Sequence, residues 1–317
     1  MMTFRPALRA NVNLLIGISG ASGSGKTFSA MRLASGICGE KRFAVIDTER
    51  GRASHYADQF HFDVAELSPP FSPARYLEAI EAADEAGYPC IVVDSMSHSW
   101  AGDGGVMDMQ EEEFKRLGSR DAVKLLSWAR PKQEHKRMVS ALLKVKAHVI
   151  LCFRAEAKVE IVKKDGKTEI VAKKTMSSID GWIPICEKSL PFELTASALV
   201  LPDRPGIPRW VKLQEQHKEM FPDGTPLDEE AGRRIAKWAK GGGEAKRPSY
   251  EDPPPQAGSQ TGKVSVADYT LMLNEADADT LPSIWTDIQT ACRIKADKEA
   301  LAQLLVVKDA RKKELGL

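Results

Sequence analysis

At 317 residues and 43% hydrophobic content, the chain is long enough for one large globular domain plus a small one. Lys plus Arg number 45 against 44 Asp plus Glu, so no global charge demands a nucleic-acid partner. No stretch approaches the roughly 18 to 20 apolar residues of a membrane helix, and Met1 to Arg9 lacks the apolar core of a signal peptide.

Leu14 to Ile18 is a short apolar run suited to a buried parallel strand. Gly20-Ala21-Ser22-Gly23-Ser24-Gly25-Lys26-Thr27 follows it, a complete phosphate-binding loop of the G-x-x-x-x-G-K-[ST] pattern. Phe28 to Ile37 then reads as a helix. Glycines let the backbone wrap a triphosphate, with N–H groups and the helix N-terminus facing the anion. Lys26 would reach the β- and γ-phosphates and the Thr27 hydroxyl would ligate Mg²⁺, with Phe28 closing the nucleotide-contacting set. A flexible Gly/Ser turn that happens to hold a lysine is the bland alternative, and strand, loop and helix in this order argue against it. The expected ligands are ATP and Mg²⁺.

Arg42 to Asp47 is a second strand ending on an acid, and Phe62 to Leu67 a weaker third. Ser72-Pro73 opens a helix, serine as N-cap and proline at the first helical position, that runs to about Ala86 and stops at Gly87. Cys90 to Asp94 is the next buried strand. Residues near Met107 to Leu117 and Ala122 to Ala129 read as helical. Pro131 starts another helix, with Met138, Leu142 and Val145 on one face. His148 to Phe153 is a further strand. Strands alternating with helices predict an α/β fold with a parallel sheet covered on both sides.

After Arg154 the pattern changes. Val159 to Val162 and Thr168 to Val171 flank Lys163-Lys164-Asp165-Gly166-Lys167, a hairpin signal. Ala198 to Leu201 and Arg209 to Leu213 read as late strands, and Leu227 to Lys240 as an amphipathic helix that closes the core. Gly241 to Lys263 is rich in Gly, Pro, Ser and Gln and reads as a disordered linker. Helical spacing returns beyond it, so the expected division is a core over 1–240, a linker over 241–263 and a small helical tail over 264–317.

Asp94, at the end of Ile-Val-Val-Asp, suits the acid that holds the Mg²⁺ shell in P-loop enzymes; a strand-end aspartate present for solubility is the alternative. Hydrolysis needs a carboxylate to orient and deprotonate a water in line with the γ-phosphate. Glu49, after the second strand, is either that base or one member of an exposed charged turn. Arg130 to Lys174 holds thirteen basic residues against five acids, a local excess of eight. Such a patch attracts phosphate backbones, although charge runs are more often a solvated face. Its hairpin has no aromatic residues, so any grip would be electrostatic and indifferent to base sequence. The six histidines show no metal spacing; His98 could help to position water, with packing or hydrogen bonding as the plainer role, and Trp100 reads as a loop or core anchor. Five scattered cysteines, odd in number and never in a C-x-x-C pair, fit reduced thiols in a cytosol and argue against zinc.

The order of phosphate loop, Val-Ile-Asp-Thr-Glu, Ile-Val-Val-Asp-Ser and Val-Ile-Leu-Cys-Phe-Arg resembles the core of RecA-like recombination ATPases. Asp94-Ser95-Met96-Ser97-His98-Ser99-Trp100 is similar to a stretch of the phage Sak-type single-strand annealing proteins. The resemblance covers about residues 12 to 240. It implies a RecA-like P-loop core, ATP hydrolysis with Glu49 as base and Lys26 and Asp94 beside it, and assembly into homo-oligomers. It also implies action on single-stranded DNA in recombination, annealing or repair, in the host cytoplasm for a phage-encoded chain. Pro191 to Leu201 looks like the strand after the second DNA-binding loop of that family. The hairpin occupies the loop's own position, which makes Arg154, Lys158, Lys163, Lys164, Lys167, Lys173 and Lys174 the candidate nucleic-acid contacts. One departure stands out: Arg154 replaces the usual glutamine at its strand end, where it would contact phosphate or pair with a carboxylate. A P-loop small-molecule kinase and a non-enzymatic, nucleotide-ordered scaffold are the competing functions, while the missing Asn-Lys-x-Asp signature argues against a GTPase. The tail, near charge balance, is expected to dock a protein rather than DNA.

Overall fold

The structure, a computed structural model, describes residues 12–164, 167–173, 179, 181–241, 264–278, 280–294 and 297–316. The chain divides into two compact units, Met1–Gly243 and Glu244–Leu317. The predicted linker lies almost wholly outside the described residues.

Apolar runs such as residues 15–20, 43–47, 90–94, 148–153 and 196–200 become strands because each is buried on both faces. β1 is Leu15–Gly20, leading into helix α1, Lys26–Cys38, and β2 is Phe43–Asp47. β3 (Phe62–Glu66), α2 (Pro73–Glu85) and β4 (Cys90–Asp94) follow. A single turn, α3 (His98–Ala101), and α4 (Val106–Arg116) lead to α5 (Ala129–Leu142) and β5 (His148–Ala157). β6 (Val159–Lys164) and β7 (Lys167–Ala172) form the hairpin that the Asp-Gly pair predicts. β8 (Trp182–Pro184), the short helix α6 (Leu190–Glu193), β9 (Ala196–Val200), β10 (Arg209–Lys212) and α7 (Glu229–Ala239) complete the first unit.

The main sheet has the order β10-β9-β1-β5-β4-β2-β3, with β8 paired to β5. All neighbours are parallel except β10 against β9 and β8 against β5. Alternation sends Cys90, Val92, Ile150 and Cys152 to one face, with Met31, Leu33 and Ile235 of α1 and α7. Ile91, Val93, Val149 and Leu151 go to the other, with Tyr76, Ile80, Met138 and Leu142 of α2 and α5. This is a mixed α/β architecture with a mainly parallel central sheet, as expected of a P-loop nucleotide-binding core.

Two expectations change. Residues 122–129 form short 3-10 turns, Asp121–Val123 and Leu126–Trp128, rather than an α-helix. Leu125 and Leu126 are 88% and 59% exposed, so no apolar face rewards a helix. The Ser127 hydroxyl also donates to Lys124 O at 2.8 Å, a local bond that competes with helical pairing. The strand expected within Pro191 to Leu201 begins only at Ala196, because Leu190–Glu193 turns as a helix with Pro191 near its start.

α7 lies hard against α1. A Cβ on Gly36 would stand 2.0 Å from Glu229 O, and one on Gly232 would stand 2.3 Å from Leu33 O. Glycine is therefore required on both helices. Arg32 clamps the same contact by a bidentate bond to Glu229, with Nη2 at 2.6 Å from Oε2.

His148, at the head of β5, accepts the Leu14 N–H on Nδ1 at 3.1 Å. Burial pushes its pKa down from 6.5 to about 4. Between those values the unfolded chain binds a proton that the folded chain refuses, so stability falls as pH drops from 6.5 towards 4. The expected loss over that window is about 3 kcal/mol. The raised Asp94 carboxyl adds an opposing gain over the same window. Urea denaturation at pH 7 and pH 4.5 should therefore show the His148 loss as the difference between wild type and H148N. H148N, which keeps an acceptor but cannot titrate, should show a smaller loss.

The second unit contains α8 (Val266–Glu275), α9 (Leu281–Ile294) and α10 (Lys298–Glu314). Leu273, Leu281, Ile288, Cys292 and Leu304 form its own core. Ser265 caps α8 and Asp297 caps α10 through side-chain bonds to Asp268 N and Ala300 N. Among the described residues no helix is long and apolar enough to cross a membrane.

Candidate nucleotide site

The register brings four strand ends to one edge. Gly20 of β1 lies beside Arg154 of β5, Asp94 of β4 beside Cys152, and Asp47 of β2 beside Asp94. β5 stands between the strand that feeds the phosphate loop and the one that ends in Asp94. Gly25 ends the loop at φ 83, in the left-handed region that suits glycine, and releases Lys26 and Thr27 as the first residues of α1.

Loop and strand ends line a cavity of about 540 Å³, shared by Gly20, Lys26, Thr27, Glu49, Asp94 and Arg154. Lys26 Nζ donates to Ala21 O at 2.8 Å, and the Thr27 hydroxyl donates to Asp94 Oδ2. Burial lowers the Lys26 pKa although Asp94 and Glu49 oppose it, and burial pushes the Asp94 carboxyl up to about 6 against the Thr27 bond. A hard divalent cation fits this pair of oxygen donors, and Mg²⁺ takes few protein ligands because water and phosphate supply the rest. Among the described residues no group of three His, Cys, Asp or Glu side chains could hold a metal unaided.

Glu49 reaches the cavity because Asp47 folds the chain after β2. Its carboxylate accepts Glu49 N–H at 2.6 Å and Ala53 N–H at 2.8 Å. Arg154 does pair with a carboxylate, and the partner is Glu49: Nη2 to Oε1 is 2.8 Å. Arg52 holds the other oxygen at 2.5 Å. Burial would raise the Glu49 carboxyl, but the two guanidiniums outweigh it and keep the group below its ordinary range. It is ionised at neutral pH.

Two neighbours carry no signal in the motif. Arg52 and Tyr56 line the cavity, and Tyr56 and Phe28 hold their rings 5.9 Å apart as an aromatic wall. The Arg50-Gly51-Arg52 run next to Glu49 hints at the first; Tyr56 has no cue. His98 is bonded to Thr48, with Nδ1 2.7 Å from the hydroxyl oxygen. Trp100 stacks on Trp128 at 6.1 Å and meets His135 edge-on, which makes it an anchor.

Of the candidate nucleic-acid contacts, Lys158 pairs with Glu156 at 2.8 Å. The backbone N–H of Lys173 donates to Lys158 O at the base of the hairpin. Lys163, Lys164 and Lys167 lie on its strands by backbone, with side chains outside the description, and Lys174 lies outside the described residues. Val159, Ile161 and Ile170 are exposed on the hairpin. The pairing of Ile161 with Ile170 puts those two on one face.

Residues 13–185 match the model of the AAA domain family, which spans the phosphate loop, Glu49, Asp94, Arg154 and the hairpin. The chain belongs to the AAA domain family. Membership carries nucleotide binding of the P-loop ATPase type, in agreement with the cavity built above. No curated protein matches the chain.

Proposed function

We propose that this AAA-domain protein binds ATP with Mg²⁺, hydrolyses it, and acts on single-stranded DNA in recombination, annealing or repair, in the manner of the phage Sak-type proteins it resembles. The observation that carries the hydrolytic part is the meeting of Lys26, Thr27, Asp94 and Glu49 in one cavity. Loop N–H groups and Lys26 bind the phosphates, while Tyr56 and Phe28 offer the base a stacking wall. Thr27 and Asp94 would hold Mg²⁺, which when bound would supply positive charge to the phosphates. Glu49, already ionised, takes a proton from the attacking water. Arg154, beside Glu49, is placed to meet charge that develops on the γ-phosphate.

The DNA part rests on the basic excess of 130–174 and on the projecting hairpin, with the resemblance. Homo-oligomers, a host-cytoplasmic setting, a core ending near Lys240 and a tail that docks a protein belong to the same reading.

A second reading is favoured by one observation. Beyond the Glu49–Arg154 pair lies another chamber of about 490 Å³, lined by Glu49, Arg50, Glu66, His98, Asp103 and Arg154. A water needs about 30 Å³ of it, so a hydroxyl-bearing acceptor would fit, as in a small-molecule kinase. One experiment separates the readings: ADP and inorganic phosphate are both counted, with and without single-stranded DNA. Equal amounts, rising with DNA, are the expected result. ADP in excess of phosphate would point to an acceptor, and bound nucleotide without turnover to a scaffold.

A further inference from the structure

The hydroxyl of Thr48 is the hub of a network behind Glu49. Ser95 N–H donates to Thr48 Oγ1 at 2.7 Å, and His98 Nδ1 lies 2.7 Å from the same oxygen. Ser95 O is a poorer partner at 3.3 Å and already accepts the Tyr76 hydroxyl at 2.9 Å. A hydroxyl has one hydrogen to give. With Ser95 O the longer and already occupied contact, the geometry favours donation of that hydrogen to the Nδ1 of a neutral His98. The ring is fixed in turn, stacked on Phe71 with centroids 5.0 Å apart. Burial and Arg154 lower the His98 pKa below the ordinary value against Glu49 and Asp103, which keeps the imidazole neutral at neutral pH.

The same turn supports the other half of the ion pair. Ser97 Oγ accepts the Arg154 N–H at 2.9 Å, one residue before His98. The Thr48 N–H is bonded to Asp94 O at 2.8 Å, so the segment 95–98 braces Glu49, Arg154 and the Asp94 strand end together. His98 lines the neighbouring chamber and not the nucleotide cavity, so its influence passes through Thr48.

We propose that His98 is a positioning residue, which through the Thr48 hydroxyl fixes the peptide that aims Glu49 and ties it to the Asp94–Ser95 turn. This rests on the reading of Glu49 as the hydrolytic base. A packing role would need only a side chain of similar volume; a positioning role needs the acceptor at Nδ1. His98→Leu keeps bulk without the acceptor, and His98→Asn restores a polar partner for Thr48.

The test measures ATP turnover in wild type, H98L and H98N, together with amide hydrogen exchange at Glu49 and Ser95. In H98L kcat should fall about tenfold with KM for ATP nearly unchanged, and the two amides should exchange about tenfold faster. H98N should recover most of both. Unchanged kcat and exchange in folded H98L would overturn the proposal, as would equal losses in both variants or a loss confined to KM. A wild type that binds ATP without turnover would refute the hydrolytic reading instead. The exchange measurement would then still decide whether His98 orders the Glu49 peptide.

Discussion

Glu49→Gln is expected to retain ATP binding and to lower turnover by at least about 10², the range for removal of a general base. Among the described residues lining the cavity, its carboxylate is the one acid free of the phosphate loop, since Asp94 is bonded to Thr27. The amide keeps an oxygen for one of the two guanidiniums and turns a donor NH2 toward the other, so one arm of the clamp is lost together with the proton acceptor. Both pairs involve half-exposed guanidiniums, and such bridges contribute roughly 0 to 1 kcal/mol. Unfolding temperature should therefore barely move. Steady-state phosphate release and equilibrium ATP titration on the same sample check the two halves. Turnover at the wild-type rate would show that Glu49 is not the base.

Lys26→Ala should lose more. The ammonium is half-buried at the start of α1, where burial already disfavours its charge and a helix N-terminus repels it. A lysine in that setting costs the fold free energy and is justified by an anion. ATP affinity should fall at least tenfold, about 1.4 kcal/mol, and turnover should become undetectable. Thermal stability without nucleotide should hold or rise slightly. Wild-type ATP affinity in the variant would remove the phosphate loop from the site.

The parts of this architecture readable in advance were those written into contiguous residues. The loop declares itself by its glycines, β1, β2 and β4 by their apolar runs, and the β6–β7 hairpin by Asp165-Gly166. What escaped depends on partners far along the chain. β5 runs on to Ala157, past the last large apolar residue Phe153, because Ala155 to Ala157 pair with Pro184 to Trp182. Nothing near Arg154 announces that extension. Glu49 could be weighed from its place after β2 and Arg52 from its nearness, but that Glu49 is the carboxylate Arg154 pairs with could not, since Arg154 is 105 residues away. Thr48 and His98 meet only because parallel registry sets the ends of β2 and β4 level. Ala122 to Ala129 misled because its composition permits a helix that has nothing to pack against.

The contact of α7 with α1 bears on where the protein can be divided. The segment that carries family membership stops at residue 185, yet β1 has β9 along one edge from Ile16 to Gly20. The glycines of α1 and α7 then seal the face above it. A fragment cut after residue 185 would leave the strand beneath the phosphate loop with a bare edge and the inner side of α1 in water, an arrangement that invites aggregation. The recognisable segment and the autonomous folding body are thus different objects. The nucleotide-site motifs depend for solubility on a strand and a helix that lie outside that segment.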